Sequence, residues 1–447
     1  MRLDRRLRIG RNTTSLLVLL ALLVVISVLG GHENSSTVEP ELPPVEKVDL
    51  IAFRDTESQI QLINPDGTNS RLLTPISESA QQGFTWPSWS SNSKKLTYTR
   101  VQDSADGLKM SLENFELKTG DTTSIHSGIA SQMAAGVFYY SFWSPDDKKL
   151  AFIFSDNGSL NLYVDSQIED VAPIKPSMQN GPIWLDWSFD SNYLLAHRNG
   201  GHFLLDVSND SINVKSLALA SSSYRAPSWK PGTTNGTMLN VDGFGVTSML
   251  VGDLSKEKAI YETFLKNIHS DATFAWSPDG SKISVGGPQT AYIYLGLAIG
   301  VHSGIKMYDR NYSLLNSLSI NEPVISYFWS PDSSKLAYVS IADSPGVLRW
   351  MVLDVKTGLR WPLVDFVPSL DQLTFFQYYD QYSKSHSLWS PSSREIVFAG
   401  KETGLAIGAS FPPAVDGDNP LIYVVYVDQS PVISAIADGV MATWSTR

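Results

Sequence analysis

From Asp49 onward apolar and polar residues alternate in short runs broken by Ser, Pro, Asp, Asn and Gly. A two-residue period interrupted by turn formers predicts short strands rather than helices. The clearest stretch is Phe274-Ala-Trp-Ser-Pro-Asp-Gly-Ser-Lys-Ile-Ser-Val285. Its Pro fixes φ, its Asp bonds back to the local backbone and its Gly accepts positive φ, so the stretch predicts strand, tight turn, strand.

The pattern repeats. Copies begin at Trp89, Trp143, Trp187, Trp329 and Trp389, a degraded copy at Trp229, and a truncated one at Trp444, so that eight tryptophans including Trp276 mark a period of 42 to 60 residues. A second polar turn falls in each period, as at Asn64-Pro-Asp-Gly67, Lys118-Thr-Gly-Asp121 and Asp354-Val-Lys-Thr-Gly358. Two hairpins per period are the signature of four-stranded propeller blades. The fold class expected is all-β: a single β-propeller over residues 48–447, with eight blades counted, or seven if the Trp229 unit falls short of a full blade. The strand missing after Trp444 is supplied by residues 49–53, which closes the array circularly.

Residues 1–31 form a separate device. Arg2, Arg5, Arg6, Arg8 and Arg11 precede a run from Leu16 to Leu29 that is apolar except for Ser27, which predicts a basic end held in the cytoplasm and the remainder exported. Residues 14–31 are expected to contact the membrane as an uncleaved single-pass anchor, or to be removed as a signal peptide, leaving a secreted or periplasmic protein. Residues 32–47 read as a polar, Pro-rich linker. Removing the five arginines and Asp4 from the 34 basic and 45 acidic residues leaves 29 and 44, a net charge of −15. That balance argues against nucleic acid as a partner.

Strand order places the short Ser-Pro-Asp-Gly turns on one face and the longer connections, at 128–137, 287–303, 365–385 and 400–419, on the other. Binding is expected on the long-loop face. The stretch from Leu373 to Trp389 is the most unusual in the chain, concentrating Tyr378, Tyr379, Asp380, Gln381, Tyr382 and His386 before an innermost strand. Rings beside a carboxylate, an amide and an imidazole suit a sugar, a peptide end or a cation; the alternative is an inter-blade plug whose polar groups satisfy one another. Exchanging 365–385 for a short turn is expected to abolish capture and leave thermal stability unchanged. The twin strings Gly296-Leu-Ala-Ile-Gly300 and Gly404-Leu-Ala-Ile-Gly408 predict a shared apolar pocket or two strand extensions packed together.

Catalytic signatures are few. The chain has no Cys and no Gly-x-Ser-x-Gly elbow, and its seven His never take His-Glu-x-x-His spacing, so no cofactor, metal site or catalytic residue is expected. His197 and His202 read as a surface pair. Asp416-Gly-Asp-Asn419 offers calcium-type oxygens without the rest of a calcium loop.

The Trp276-Ser-Pro-Asp-Gly-Ser-Lys-Ile283 string resembles the WD40-like (PD40) repeat of TolB-type β-propellers, as does Gln59-Ile-Gln-Leu-Ile-Asn-Pro-Asp-Gly67 followed by Ser70-Arg-Leu-Leu-Thr74. TolB itself is similar to a six-bladed ring behind an α/β domain, and related peptidases carry a hydrolase domain. Here the count is eight and neither domain is present. The expected role is an extracytoplasmic, membrane-tethered binding scaffold for an envelope protein or small ligand; the alternative is an enzyme acting on glycans or peptides at the channel mouth through carboxylates such as Asp380.

Overall fold

The structure is a computed structural model that describes residues 49–75, 82–130, 139–156, 159–166, 176–209, 211–221, 225–404 and 419–446. The anchor and linker expected in 1–48, the tip of the 128–137 connection, Asp416–Asp418 and most of the second Gly-Leu-Ala-Ile-Gly string lie outside the described residues. Among the described residues no helix is long and apolar enough to cross a membrane.

The chain is all-β and of propeller type, a succession of short antiparallel sheets. Four complete sheets of four strands are Gln82–Trp89 to Thr122–Ala130, Ile183–Trp187 to Asn213–Ala220, Ser228–Trp229 to Tyr261–Lys266, and Met441–Trp444 joined to Ile51–Arg54, Ile60–Ile63 and Arg71–Leu72. In the last, Ile51 pairs with Trp444 and Arg54 with Met441. The sheet begun by Tyr140–Trp143 has three strands plus the bridge Leu162–Met178, and that begun by Phe274–Trp276 has three plus Ile305–Ile320. The units of Trp329 and Trp389 merge because Arg360–Pro368, the outer strand of one, pairs through Asp365–Pro368 with the end of Glu395–Gly404 in the next. The connection expected at 287–303 is a hairpin, Gln289–Tyr294 with Leu297–His302, which joins the same sheet through His302 and Val324.

Seven of the eight repeat tryptophans end an innermost strand and Trp389 bridges Ile396, and six of the indoles stitch one unit to the one before. Trp89 donates to Thr443 O (3.3 Å), Trp187 to Phe142 O (3.0 Å), Trp229 to Asp186 O (3.1 Å), Trp276 to Thr237 Oγ1 (2.9 Å), Trp329 to Ala275 O (3.3 Å) and Trp389 to Phe328 O (3.2 Å). Trp444 donates within its own unit to Asp49 (2.7 Å), and the buried Trp143 nitrogen has no partner among the described residues.

The turn after each tryptophan carries a second stitch that the sequence pattern hid. Counted from the tryptophan, its fifth residue has positive φ in six of the turns, yet is glycine only at Gly280 (+65°); Ser93, Asp147, Ser191, Ser333 and Ser393 sit at 59 to 61°, while in the degraded Trp229 copy the positive φ falls one residue earlier, at Gly232 (+69°). A side chain in this conformation is strained by roughly 1 kcal/mol or more. Those side chains are retained because they accept from the turn of the preceding unit: Asn92 N to Asp147 (3.2 Å), Asp146 N to Ser191 (3.1 Å), Asp279 N to Ser333 (3.0 Å), Asp332 N to Ser393 (3.1 Å) and Thr446 N to Ser93 (2.9 Å).

Ser333→Ala keeps the strained φ and leaves Asp279 N without its partner, so it should cost about 1–2 kcal/mol by urea unfolding. Ser333→Gly relieves the strain and should cost less. Equal midpoints for wild type and alanine variant would contradict the stitch.

Candidate functional site: a plugged channel

The segment expected as a displayed loop at 365–385 is internal. After Arg360–Pro368 the chain turns at Ser369, whose side chain accepts from Gln372 N and caps the helix Leu370–Gln377, here α1. A single turn, Tyr379–Tyr382, here α2, follows. Leu373, Phe375, Phe376 and Tyr379 are all nearly inaccessible to solvent, and so are Asp371 and Gln372. A helix buried on every side belongs to a core. The Ser369-x-x-Gln372 spacing of a helix start was present in the sequence.

Polar groups of this segment bond to one unit after another. Asp371 forms an ion pair with Arg54 (2.6 Å), both side chains being buried, and Gln372 accepts from Ala399 N (3.0 Å). The Tyr379 hydroxyl meets Thr273 Oγ1 at 2.6 Å, and Asp380 accepts from Ala226 N at 3.1 Å. Gln381 is fully engaged, accepting from Leu185 N (2.7 Å) and donating to Leu185 O (3.0 Å) and the Tyr140 hydroxyl (2.7 Å). Lys384 pairs with Asp186 at 2.9 Å, Ser88 donates to Ser385 O, and Trp444 N donates to Ser387 O (2.7 Å). Phe375, Phe376 and Tyr379 pack their rings on Phe328 of the Trp329 unit. The segment therefore bonds or packs against the unit of every repeat tryptophan and lies buried among their innermost strands.

Its removal should lower stability, contrary to the neutral effect expected of a surface loop. The sharper test is Asp371→Ala, which leaves the Arg54 guanidinium buried without its carboxylate. Loss of one partner of a buried pair costs about 3–5 kcal/mol. An unfolding midpoint unchanged from wild type would contradict this placement.

Beneath the plug a cavity of about 210 Å³ remains, lined by Phe274, Trp276, Trp329 and Trp389 and by Asp380, Lys384 and His386 among others. Pro278 of a Ser-Pro-Asp-Gly turn also lines it, so it opens toward the short-turn face. Of the six residues singled out in the sequence, Tyr379, Asp380 and His386 reach this cavity. Tyr378, Gln381 and Tyr382 do not line it. Tyr382 packs on Trp86 (4.8 Å between centroids) and Tyr140 (5.6 Å), and the Tyr378 ring meets Tyr382 edge-on with its hydroxyl pushed up to about 12 by burial. Asp186 and Lys384 carried no sequence signal, since their pairing is non-local.

Two groups at the cavity are left with bonding capacity. Asp380 uses one carboxylate oxygen on Ala226 N, and no protein donor among the described residues bonds the other. His386, 2% exposed, contacts Ser385 Oγ through Nδ1 at 2.8 Å, while its Nε2 has no partner among the described residues. Burial pushes its imidazole down to about 3, so it is neutral at ordinary pH.

Three other histidines are buried. His197 and His202 are cross-strand partners stacked at 4.7 Å, not a surface pair. Burial pushes them down to about 3 and about 4, with mutual repulsion adding to the shift of His197. His302 bonds Gly287 O through Nδ1 and contacts Thr273, Gln289 and Tyr379 through Nε2; burial pushes it to about 4. Among the described residues no three His, Asp or Glu converge to hold a metal.

The sign of the pH dependence follows. Below the ordinary histidine value near 6.5 the unfolded chain binds protons that the folded chain refuses until about 3 to 4, so stability falls as pH falls through this window. Each of the four should withdraw roughly 2 kcal/mol by pH 5 relative to pH 7.5. A urea midpoint flat over that range would contradict the burial.

No family model matches the chain, and no curated protein matches it. Among solved structures it is similar to dihydro-heme d1 dehydrogenase NirN, at 12% identity and a TM-score of 0.53 over 92% of this chain and 81% of that one. It is similar to a prolyl endopeptidase at 11% identity and a TM-score of 0.50, covering 91% of this chain and 57% of that one. TolB from Acinetobacter baumannii matches at 16% identity and a TM-score of 0.35, over 62% of this chain and 63% of TolB. The chain thus spans less than two thirds of the peptidase and of TolB. At these identities the first two likenesses establish the propeller-type fold alone, and the TolB likeness carries no argument.

Proposed function

We propose that the chain is an extracytoplasmic, membrane-tethered β-propeller of eight blades, closed between Met441–Trp444 and Ile51–Arg54, that binds a ligand or protein partner instead of turning over a substrate. The PD40-type repeat reading belongs to this proposal and rests on the Trp-Ser-Pro-Asp strings. One observation carries the binding role: an internally bonded plug leaves a preformed cup at the channel mouth, with Asp380 and His386 each keeping an unused bonding position. Preorganised groups that need no rearrangement to bind are economical in ordering entropy.

The tether would join on the same side. Residue 51 pairs with Trp444 at the turn end of that innermost strand, so a linker over 32–47 would lead to the face on which the cup opens. The binding face is accordingly moved from the long-loop side to the short-turn side.

The test is affinity capture of the tagged full-length protein from detergent-solubilised membranes, beside Ser383→Trp, which blocks the cup at an exposed lining residue. A partner or small molecule retained by the intact protein and lost from the folded variant is expected. Equal retention by both would overturn the cup as the binding site. Turnover on glycans or peptides that is lost in Asp380→Asn would replace the scaffold reading with an enzyme.

A further inference from the structure

The chemistry of the cup narrows what it would take. Its lining carries one charge of each sign, Asp380 and Lys384, the latter paired with Asp186 behind it at 2.9 Å. A free cation would meet the Lys384 ammonium, and a peptide carboxylate would meet Asp380. Neither charge has a clear welcome, which favours a neutral ligand.

The bonding positions are mixed in sense. The unbonded Asp380 oxygen accepts only. An ammonium has three donors, of which Lys384 uses two, on Asp186 and on Ser228 Oγ (3.2 Å). His386 Nε2 donates or accepts according to which tautomer the Ser385 contact selects. Hydroxyl groups pair with all three, since each both donates and accepts. Around these positions stand Phe274, Trp276, Trp329 and Trp389, apolar ring surface of the kind that packs on the C–H face of a sugar ring. At about 210 Å³ the space is below the ~300–1,000 Å³ of drug-sized pockets, which suits one ring and not an extended chain.

We propose that the cup binds a single pyranose ring, free or as the terminal unit of a glycan, with hydroxyls on Asp380, Lys384 and His386 and its face against the tryptophans. This deepens the binding role proposed above and rests on it.

The experiment is a titration of the folded full-length protein in detergent, followed by intrinsic tryptophan fluorescence. Probes are D-glucose, D-galactose, D-mannose and N-acetylglucosamine, with choline and acetyl-glycine as charged controls. A parallel arm uses the same sugars immobilised as glycan termini. Saturable binding of at least one sugar is expected, weakened tenfold or more in Asp380→Asn and in His386→Phe. The asparagine keeps an oxygen for Ala226 N, and phenylalanine keeps the ring packing of His386 on Trp86 and Phe375, so both variants should melt near wild type. Binding in the free-sugar arm identifies a soluble ligand, and binding only to immobilised termini identifies a glycan end. Absence of saturable binding by every sugar in both arms, or binding unchanged in both variants, overturns the proposal. Choline or acetyl-glycine binding that is lost in Ser383→Trp, without sugar binding, overturns the sugar assignment and leaves the cup standing.

Discussion

The architecture depends on hydrogen bonds that run from one unit to the next in both directions. A blade in an array touches its neighbours and little else, so stability resides in the interfaces between blades. Here most interfaces draw on two recurring parts: a tryptophan indole reaching back to an innermost strand, as Trp389 does to Phe328 O, and a turn amide reaching forward to a side chain at positive φ, as Asp332 N does to Ser393. The carboxylates of these turns are held by the same geometry. Burial pushes the Asp279 carboxyl up, but the bonds from Ser277 and Ser281 outweigh it and leave the group below its ordinary value. The weakest joints lie around Trp229, where Gly280 occupies the position that carries a clasping side chain elsewhere and the corresponding Thr233 bonds only within its own turn.

An array of this many units leaves a wide space along its axis, and an empty interior forfeits dispersion contacts on every side. Inward-facing side chains alone do not span it. The connection from Arg360–Pro368 to the Trp389 strand fills it instead, and its polar residues are tolerated at the centre because the inner strands offer backbone amides and carbonyls there. Leu185, Ala226 and Ala399 each present such a group to Gln381, Asp380 and Gln372. The plug stops short of the turn face, and the cup is the space left over. Groups that complete the plug and groups that line the cup thus belong to one short segment, with Asp380 serving both.

Much of this was legible in the sequence. The two-residue period and the Trp-Ser-Pro-Asp strings gave the strands, the turns and the partnership of residues 51–54 with the last strand, because those are local signals repeated many times. The plug stood in the sequence only as the alternative to a displayed loop, because a stretch containing Asp371, Gln372, Asp380 and Gln381 has the composition of a surface loop; distant partners such as Arg54, Ala226 and Leu185 make it an interior. The same holds for His197 and His202, polar by type but paired across a buried hairpin. Glycine at position 280 disguised the clasp, since the clearest copy of the motif is one of the two that lack it.

Amide hydrogen exchange over residues 371–386 tests the central claim most directly. Burial and bonding to all eight units predict protection close to that of the innermost strand Val324–Trp329, far above that of the exposed turn at Phe244. Exchange at the rate of that turn would mean that the segment is displayed on the surface, and the plug and the cup beneath it would both be wrong.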